Sequence, residues 1–351
     1  MSEIKQKLLL QSSPHIASPV NSKMMMATML IALSPVAIFA VIVFGLHALL
    51  NIIVAVASAV AGEAAFRFAI KQPVRAKDLS AGVTGLILAL TIPPTTPIWM
   101  TALGGIFAVV VGKEFFGGLG ANVFNPALIG RAFLVMSFPA ALTTWQYPVL
   151  PIGAAFSAAF SADAVTGATP LGIIKMGTGA AEGIAEVGRS LAAMRLSESA
   201  DYWPTIKALF FGFKGGSMGE TPIFIILACF FFLLVTKTID WRAPVFMIGT
   251  GFIAALAFWQ DAGFALFSVL TGGLVFGAVF MVTDYVTSPV TTKGKIIFGA
   301  GAGIIAMLIR RFGIYPEGVC FSILMMNALV PFLNKLLPKK YGYVQTKEAA
   351  K

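Results

Sequence analysis

Charge is scarce in this chain. Only 11% of its 351 residues are Asp, Glu, Lys or Arg, where a soluble domain carries about a quarter, and the mean hydropathy is +0.88. A soluble globule is excluded. Cysteine is nearly absent as well: Cys229 and Cys320 both fall in apolar runs, where a thiol packs as a small hydrophobe. Two thiols exclude a disulfide framework, and an iron-sulfur cluster needs four, so one shared with another subunit would take its remaining ligands from there. His15 and His47 are too few and too far apart to suggest a metal site, and no HExxH, CxxC, phosphate-loop or dinucleotide fingerprint occurs. Neither a catalytic residue nor a metal ligand is expected on this chain.

What the chain has instead is long apolar runs. A bilayer core about 30 Å thick takes roughly 20 apolar residues per helix. Ten candidates lie near 24–46, 48–65, 79–93, 98–112, 122–142, 222–237, 244–259, 263–282, 295–310 and 317–337. The fold expected is therefore an all-α polytopic membrane protein. The polar start, 1–23, is not expected to be a cleaved signal, because the apolar run after it is long and no small-residue cleavage pattern follows. A net charge of +10 is the kind of excess that nucleic-acid binding would use, but here it tracks the membrane instead. Most basic residues fall at 1–23, 67–77, 113, 237–242, 293–295 and 335–351, which alternate ends of the spans place on one side. Segment 143–221 holds five Lys and Arg against six Asp and Glu. The positive-inside rule then puts both termini in the cytoplasm of a bacterial inner membrane and 143–221 outside.

Five spans precede that insertion and five follow it, so the second half enters the bilayer with reversed polarity. This is the arithmetic of an inverted repeat. The domain expectation is an arm at 1–23, repeats at 24–142 and 222–337, the insertion between them, and a tail at 338–351. Ser80 to Pro97 resembles Ser268 to Pro289, each an apolar stretch rich in Gly and Thr that runs into a Pro- and Thr-rich break. Broken helices leave backbone groups that protein, water or a ligand must satisfy. Paired breaks point to a central site or ion path; alternatively the small residues simply let helices pack closely.

Two polar islands stand out against this background. Gly117 to Ala127 reads GGLGANVFNPA, and Asn125 before Pro126 suits a helix cap. Asn122 and Asn125, three apart, also offer amide donors and acceptors able to read the edge of a planar heterocycle. Arg131 beyond them lies inside a span, where a charge is costly and suggests function, a structural partner or a lipid headgroup contact. The second island runs from Asp163 through Thr166, Gly167 and Ala168 to Thr169, followed by Pro170. A turn with Thr side chains capping backbone donors would explain it. So would a hydroxyl presented between small neighbours for covalent modification.

The combination of Asp163-x-x-Thr-Gly-Ala-Thr169, the Gly-rich stretch with Asn122 and Asn125, and Thr283-Asp-Tyr-Val-Thr-Ser-Pro289 resembles the RnfD/NqrB family over nearly the whole chain. Its short arm with Ser13-Pro14-His15 is more similar to the Rnf D subunit. Family members are membrane subunits of ion-translocating electron-transfer complexes. The resemblance implies FMN on Thr169 through a phosphoester made by a separate flavin transferase. It also implies a non-covalent riboflavin near Asn122 and Asn125, with Arg131 close by. Asp163 would orient the hydroxyl or a metal ion during transfer, and Gly167 and Ala168 would leave room for the transferase.

The function so implied is electron carriage through membrane flavins, coupled to Na⁺ or H⁺ movement, with ferredoxin and NADH handled by partner subunits. A competing class is a small-solute channel or transporter without redox chemistry, since five-plus-five repeats recur there. Such a channel has no use for a flavin attachment motif. A passive scaffold would make the insertion dispensable.

Overall fold

Backbone N–H and C=O groups surrounded by apolar side chains have few ways to be satisfied, and an unbroken helix is the simplest. The computed structural model describes residues 21–73, 78–148, 166–176, 180–313, 315 and 317–336. Helix α1 (Ser22–Phe44) begins where the Asn21 side chain accepts a hydrogen bond from the Met24 N–H. It passes into α2 (Leu46–Ala69) through Gly45 alone, whose φ of +79° separates the two helices without a loop. α3 (Ser80–Thr91), α4 (Ile98–Val110) and α5 (Pro126–Ser137) complete the first half. Asn125 caps α5 and Pro126 opens it, as its sequence predicts.

After a single turn, α6 (Pro139–Leu142), the chain forms a two-residue antiparallel ladder. In it β1 (Trp145–Gln146) pairs with β2 (Thr166–Gly167), Trp145 opposite Gly167. Helices α7 (Pro170–Met176), α8 (Ala180–Ala193) and α9 (Tyr202–Phe211) follow. Their apolar faces, with Ile184, Val187, Leu191 and Leu209, close over Tyr147 and over Phe264 and Phe267 of the membrane part in a small core of their own. The second half comprises α10 (Ile223–Val235), α11 (Arg242–Trp259), α12 (Ala262–Leu270), α13 (Leu274–Phe276, continuing as a π turn to Met281), α14 (Thr292–Phe312) and α15 (Val319–Leu333).

Among the described residues, five helices are long and apolar enough to cross a bilayer. A sixth crossing is available to α12 and α13 taken together, bent by 64° at their junction, and α3, α5, α10 and α15 are shorter apolar helices. Each of the ten apolar runs in the sequence contains one of these elements. The protein is an all-α polytopic membrane protein.

The two halves are packed alike. α2 lies against α3 and α4, and α11 lies against α12 and α14; α4 meets α5 as α14 meets α15. Across the middle, α1 meets α10 and α5 meets α15. Small residues allow the close approach: a Cβ on Gly85 would sit 2.6 Å from the Ala55 carbonyl oxygen, and one on Gly299 would sit 2.2 Å from that of Ala243. One break is where the sequence puts it, after Thr91. The matching stretch holds an additional bend at Thr271-Gly272-Gly273, made possible by Gly272 at φ +67°. The carbonyl end of α3 is completed from the end of the insertion: Gly219 N–H donates to the Leu90 oxygen at 2.6 Å and Met218 N–H to that of Ile92 at 3.3 Å.

Charge departs from the sequence expectation in one respect. Arg67 and Lys113 are not loop cations facing water but are fully buried. Arg67 lies 3.0 Å from Glu114 and Lys113 lies 3.0 Å from Glu63, with Lys113 also donating to the Ser80 hydroxyl. Two cations and two anions cancel, which is the condition for burying them at all. Arg131, largely buried, is thus accompanied by fully buried basic residues rather than isolated.

Candidate functional site

Asn122 and Asn125 are brought together as walls of one cavity with about 670 Å³ of empty space, counting its open mouth. Ser80, Thr84, Asp284 and Tyr285 line it too, and Met25, Met26 and Met29 of α1 form its apolar side. The two amides are not equivalent. Asn125 is committed: its Oδ1 accepts from the Ala127 and Leu128 N–H groups, and its Nδ2 reaches the Met281 oxygen at 3.5 Å. Asn122 donates to the Phe124 oxygen at 3.2 Å, but its buried Oδ1 has no partner. A buried acceptor in a cavity wall with no donor to meet it is costly unless something supplies one. Asp284 is satisfied locally, accepting from Thr287 Oγ1 and the Val286 N–H.

Arg131 does not join this cavity. It pairs with Glu317 at the start of α15 and lines a separate small cavity with Ser217, Glu220, Gly273 and Cys320. Ser217 Oγ, Glu220 Oε2 and Glu317 Oε1 have no partner there. Burial and the neighbouring Glu317 push the Glu220 carboxyl well above the usual carboxylate range, while burial lowers the Lys214 ammonium to about 8. The expectation that Arg131 stands beside the two asparagines gives way to an ion pair that ties α5 to α15.

At the other polar island, Asp163 lies outside the described residues and Thr166 sits in β2. Gly167 is in extended backbone rather than a turn, and its lack of a side chain serves Tyr147: a Cβ would fall 2.9 Å from the ring. The Tyr147 hydroxyl donates to the Ala168 oxygen at 2.7 Å, and burial raises that phenol so that it stays a donor. Thr169 is buried, its Oγ1 accepting from the Gly172 N–H at 3.0 Å and its carbonyl from the Ile173 N–H. The capping half of the turn explanation therefore holds.

Beside α7 lies a second large pocket, with about 580 Å³ of empty space counting its mouth. Leu171, Ile174 and Lys175 face it from α7; Trp259, Phe264, Ser268, Arg310 and Arg311 close it. Arg310 is buried: it donates to the Ser268 and Thr271 oxygens and leaves its Nε unpaired. No motif in the sequence announces this pocket, because its walls come from α7, α11, α12 and α14. Among the described residues, no three His, Cys, Asp or Glu side chains converge as a metal site would need.

A model of the NQR2, RnfD, RnfE family matches residues 9–342. The chain belongs to that family. Within it, the chain is 41% identical over 346 residues to the D subunit of the proton-translocating ferredoxin:NAD(+) oxidoreductase complex of Clostridium ljungdahlii, covering 97% of this chain and 98% of the relative. It is 38% identical over 347 residues to the D subunit of the Na(+)-translocating ferredoxin:NAD(+) oxidoreductase complex of Acetobacterium woodii, with 98% of both covered. The D subunit of the ion-translocating oxidoreductase complex of Stutzerimonas stutzeri is 38% identical, covering 89% and 90%. The NQR2, RnfD, RnfE resemblance drawn from motifs thus extends along nearly the entire chain.

The flavins implied by the resemblance can be tested against these side chains. The partnerless Asn122 Oδ1 suits a ring N–H, and Ser80, Thr84 and Asp284 add polar groups to the wall of the same cavity. Thr169 offers the hydroxyl that a phosphoester needs, held buried and closely packed, since a Cβ on Gly172 would stand only 3.3 Å from its oxygen. The residues present fit the groups.

Proposed function

We propose that this chain is the D subunit of an Rnf-type ferredoxin:NAD⁺ oxidoreductase that moves Na⁺ or H⁺. Its electrons would pass through FMN on Thr169 and a non-covalent riboflavin at Asn122. The observation that carries this reading is the near end-to-end similarity to two D subunits named for that reaction, one with protons and one with Na⁺. Bound flavin supplies one- and two-electron chemistry; the chain supplies position and electrostatics. The sequence carries no dinucleotide fingerprint, and in this reading NADH and ferredoxin react on other subunits.

In this reading the ten apolar elements cross the bilayer in two inverted halves, which the matching helix contacts support. Thr169 then lies on the outer side, where a merely bound FMN would diffuse away. A flavin transferase joins FMN to it while the Tyr147 and Gly172 contacts are open, because the hydroxyl is buried once they close.

The test is flavin fluorescence of the denatured subunit in a gel, from cells with and without the transferase. A band only with the transferase is expected, and its absence from both would leave a channel as the better account. In the same cells an impermeant thiol reagent should reach Glu182→Cys and not Lys340→Cys. The background is low because Cys229 and Cys320 are buried.

For the second flavin, Asn122→Ala removes a buried acceptor that has no partner in the cavity wall. Extractable flavin per protein should fall with a loss of about 1 to 3 kcal/mol in binding. Asn125→Ala should cost about 1 kcal/mol of stability through the lost cap. Stoichiometric extractable flavin in Asn122→Ala would remove riboflavin from that cavity.

A further inference from the structure

Glu220 is a buried acid whose neighbouring cations are all occupied. It lies just before α10, only 3% exposed, in the wall of the small cavity that Arg131, Ser217, Gly273 and Cys320 also line. Three basic side chains, Arg131, Lys214 and Arg310, act on it and on its neighbour Glu317, and each is engaged elsewhere. Arg131 pairs with Glu317 Oε2, Lys214 donates to the Leu270 oxygen at 2.7 Å, and Arg310 donates to the Ser268 and Thr271 oxygens. Glu220 Oε2 is left without a donor, and so is Glu317 Oε1. An ionised carboxylate oxygen buried in that condition bears the full cost of its lost hydration.

The two carboxyls offer each other the missing partner. The Glu220 and Glu317 side chains lie within hydrogen-bonding reach of one another. Two carboxylates at that range repel, whereas one proton between them turns the contact into a charge-assisted O–H···O bond. Burial and Glu317 together hold the Glu220 carboxyl well above the usual carboxylate range, in keeping with such sharing. Ser217 Oγ, buried in the same wall without a partner, can both accept and donate, which is what passage of a proton through the cavity needs.

We propose that Glu220 and Glu317 share one exchangeable proton, which makes this cavity a proton-binding site where the end of the insertion, α5 and α15 meet. The proton stands between Glu220 Oε2 and Glu317 Oε1, while Arg131 holds Glu317 Oε2. Its release hands it to water and leaves two carboxylates among Arg131, Lys214 and Arg310, with the Cys320 thiol as the remaining titratable neighbour. No electron moves and neither flavin takes part, so the assignment stands apart from the flavin reading.

The test uses the full-length chain in detergent. Glu220→Gln keeps the shape of the side chain and supplies an amide N–H where the shared proton stands, so it should fold and melt close to the unaltered chain at neutral pH. In the infrared, the C=O stretch of a protonated carboxyl, identified by its shift in heavy water, should be present in the unaltered chain and missing from Glu220→Gln. Glu317→Gln changes the partner of the same proton, so there the band should move or vanish.

Denaturant unfolding against pH gives a second reading. Glu220 is protonated in the folded chain and ionised in the unfolded one above the ordinary glutamate range, so folding takes up a proton there and stability falls as pH rises. Relative to Glu220→Gln, the folding constant of the unaltered chain should fall about tenfold per pH unit between roughly pH 5 and 7.

A carboxyl band unchanged in both variants would overturn the assignment. So would a Glu220→Gln chain that fails to fold or melts far below the unaltered one, since that marks Glu220 as an ionised partner of a nearby cation. Sodium chloride exchanged for choline chloride at constant ionic strength should move neither reading. A melting midpoint that Na⁺ raises in the unaltered chain and not in Glu220→Gln would overturn the shared proton in favour of a bound metal cation.

Discussion

Thr169→Val is expected to abolish covalent FMN while leaving the fold in place. Valine keeps the branched shape and removes only the hydroxyl, so the structural loss is the hydrogen bond from the Gly172 N–H, about 1 kcal/mol for a cap. The chemical loss is total, because no oxygen remains to form the phosphoester. Thr166→Val should retain the flavin. The measurement is the mass of the peptide spanning 166–176 from cells that contain the transferase. FMN found on Thr166 would move the attachment point three residues back, and Asp163-x-x-Thr would then mark the acceptor itself.

Arg131→Met should destabilise the protein more than any surface change. The substitution keeps most of the side-chain volume and removes the positive partner of Glu317, which is itself largely buried and already has one unpaired oxygen. Breaking one member of a buried pair costs about 3 to 5 kcal/mol, whereas neutralising both costs far less. In detergent solution the unfolding midpoint should fall by roughly 5 to 15 °C. Arg131→Met with Glu317→Gln should recover most of it. A single variant as stable as the unaltered protein would show that Arg131 is held by something other than Glu317.

Arg131 also marks the limit of what was legible in the sequence. A lone arginine in an apolar run says that a partner exists, but Glu317 lies just before another helix far along the chain, and no local spacing connects them. Asn125 was legible in full, since a cap acts on its own helix within three residues, and so were the apolar runs, whose length the bilayer sets. Glu63 and Arg67, four apart on α2, carried a readable sign of pairing, yet the burial of that pair and of Lys113 depends on α4 and α3. The bend at Thr271-Gly272-Gly273 was written in two adjacent glycines that passed for small packing residues. The α7 pocket was legible least of all, because four helices contribute its walls and each contributes only one to three residues.

The completion of α3 by Gly219 and Met218 sets a problem of timing. The Leu90 and Ile92 carbonyls leave the ribosome well before the two amides that will bind them, with more than a hundred residues of chain still to be made. At about 5 to 20 residues per second that interval is on the order of ten seconds. Throughout it, the end of α3 needs other donors, supplied by water, the insertion machinery or a chaperone, since bare lipid supplies none. The first half accordingly waits, with α3 incomplete, until synthesis has passed the end of the insertion.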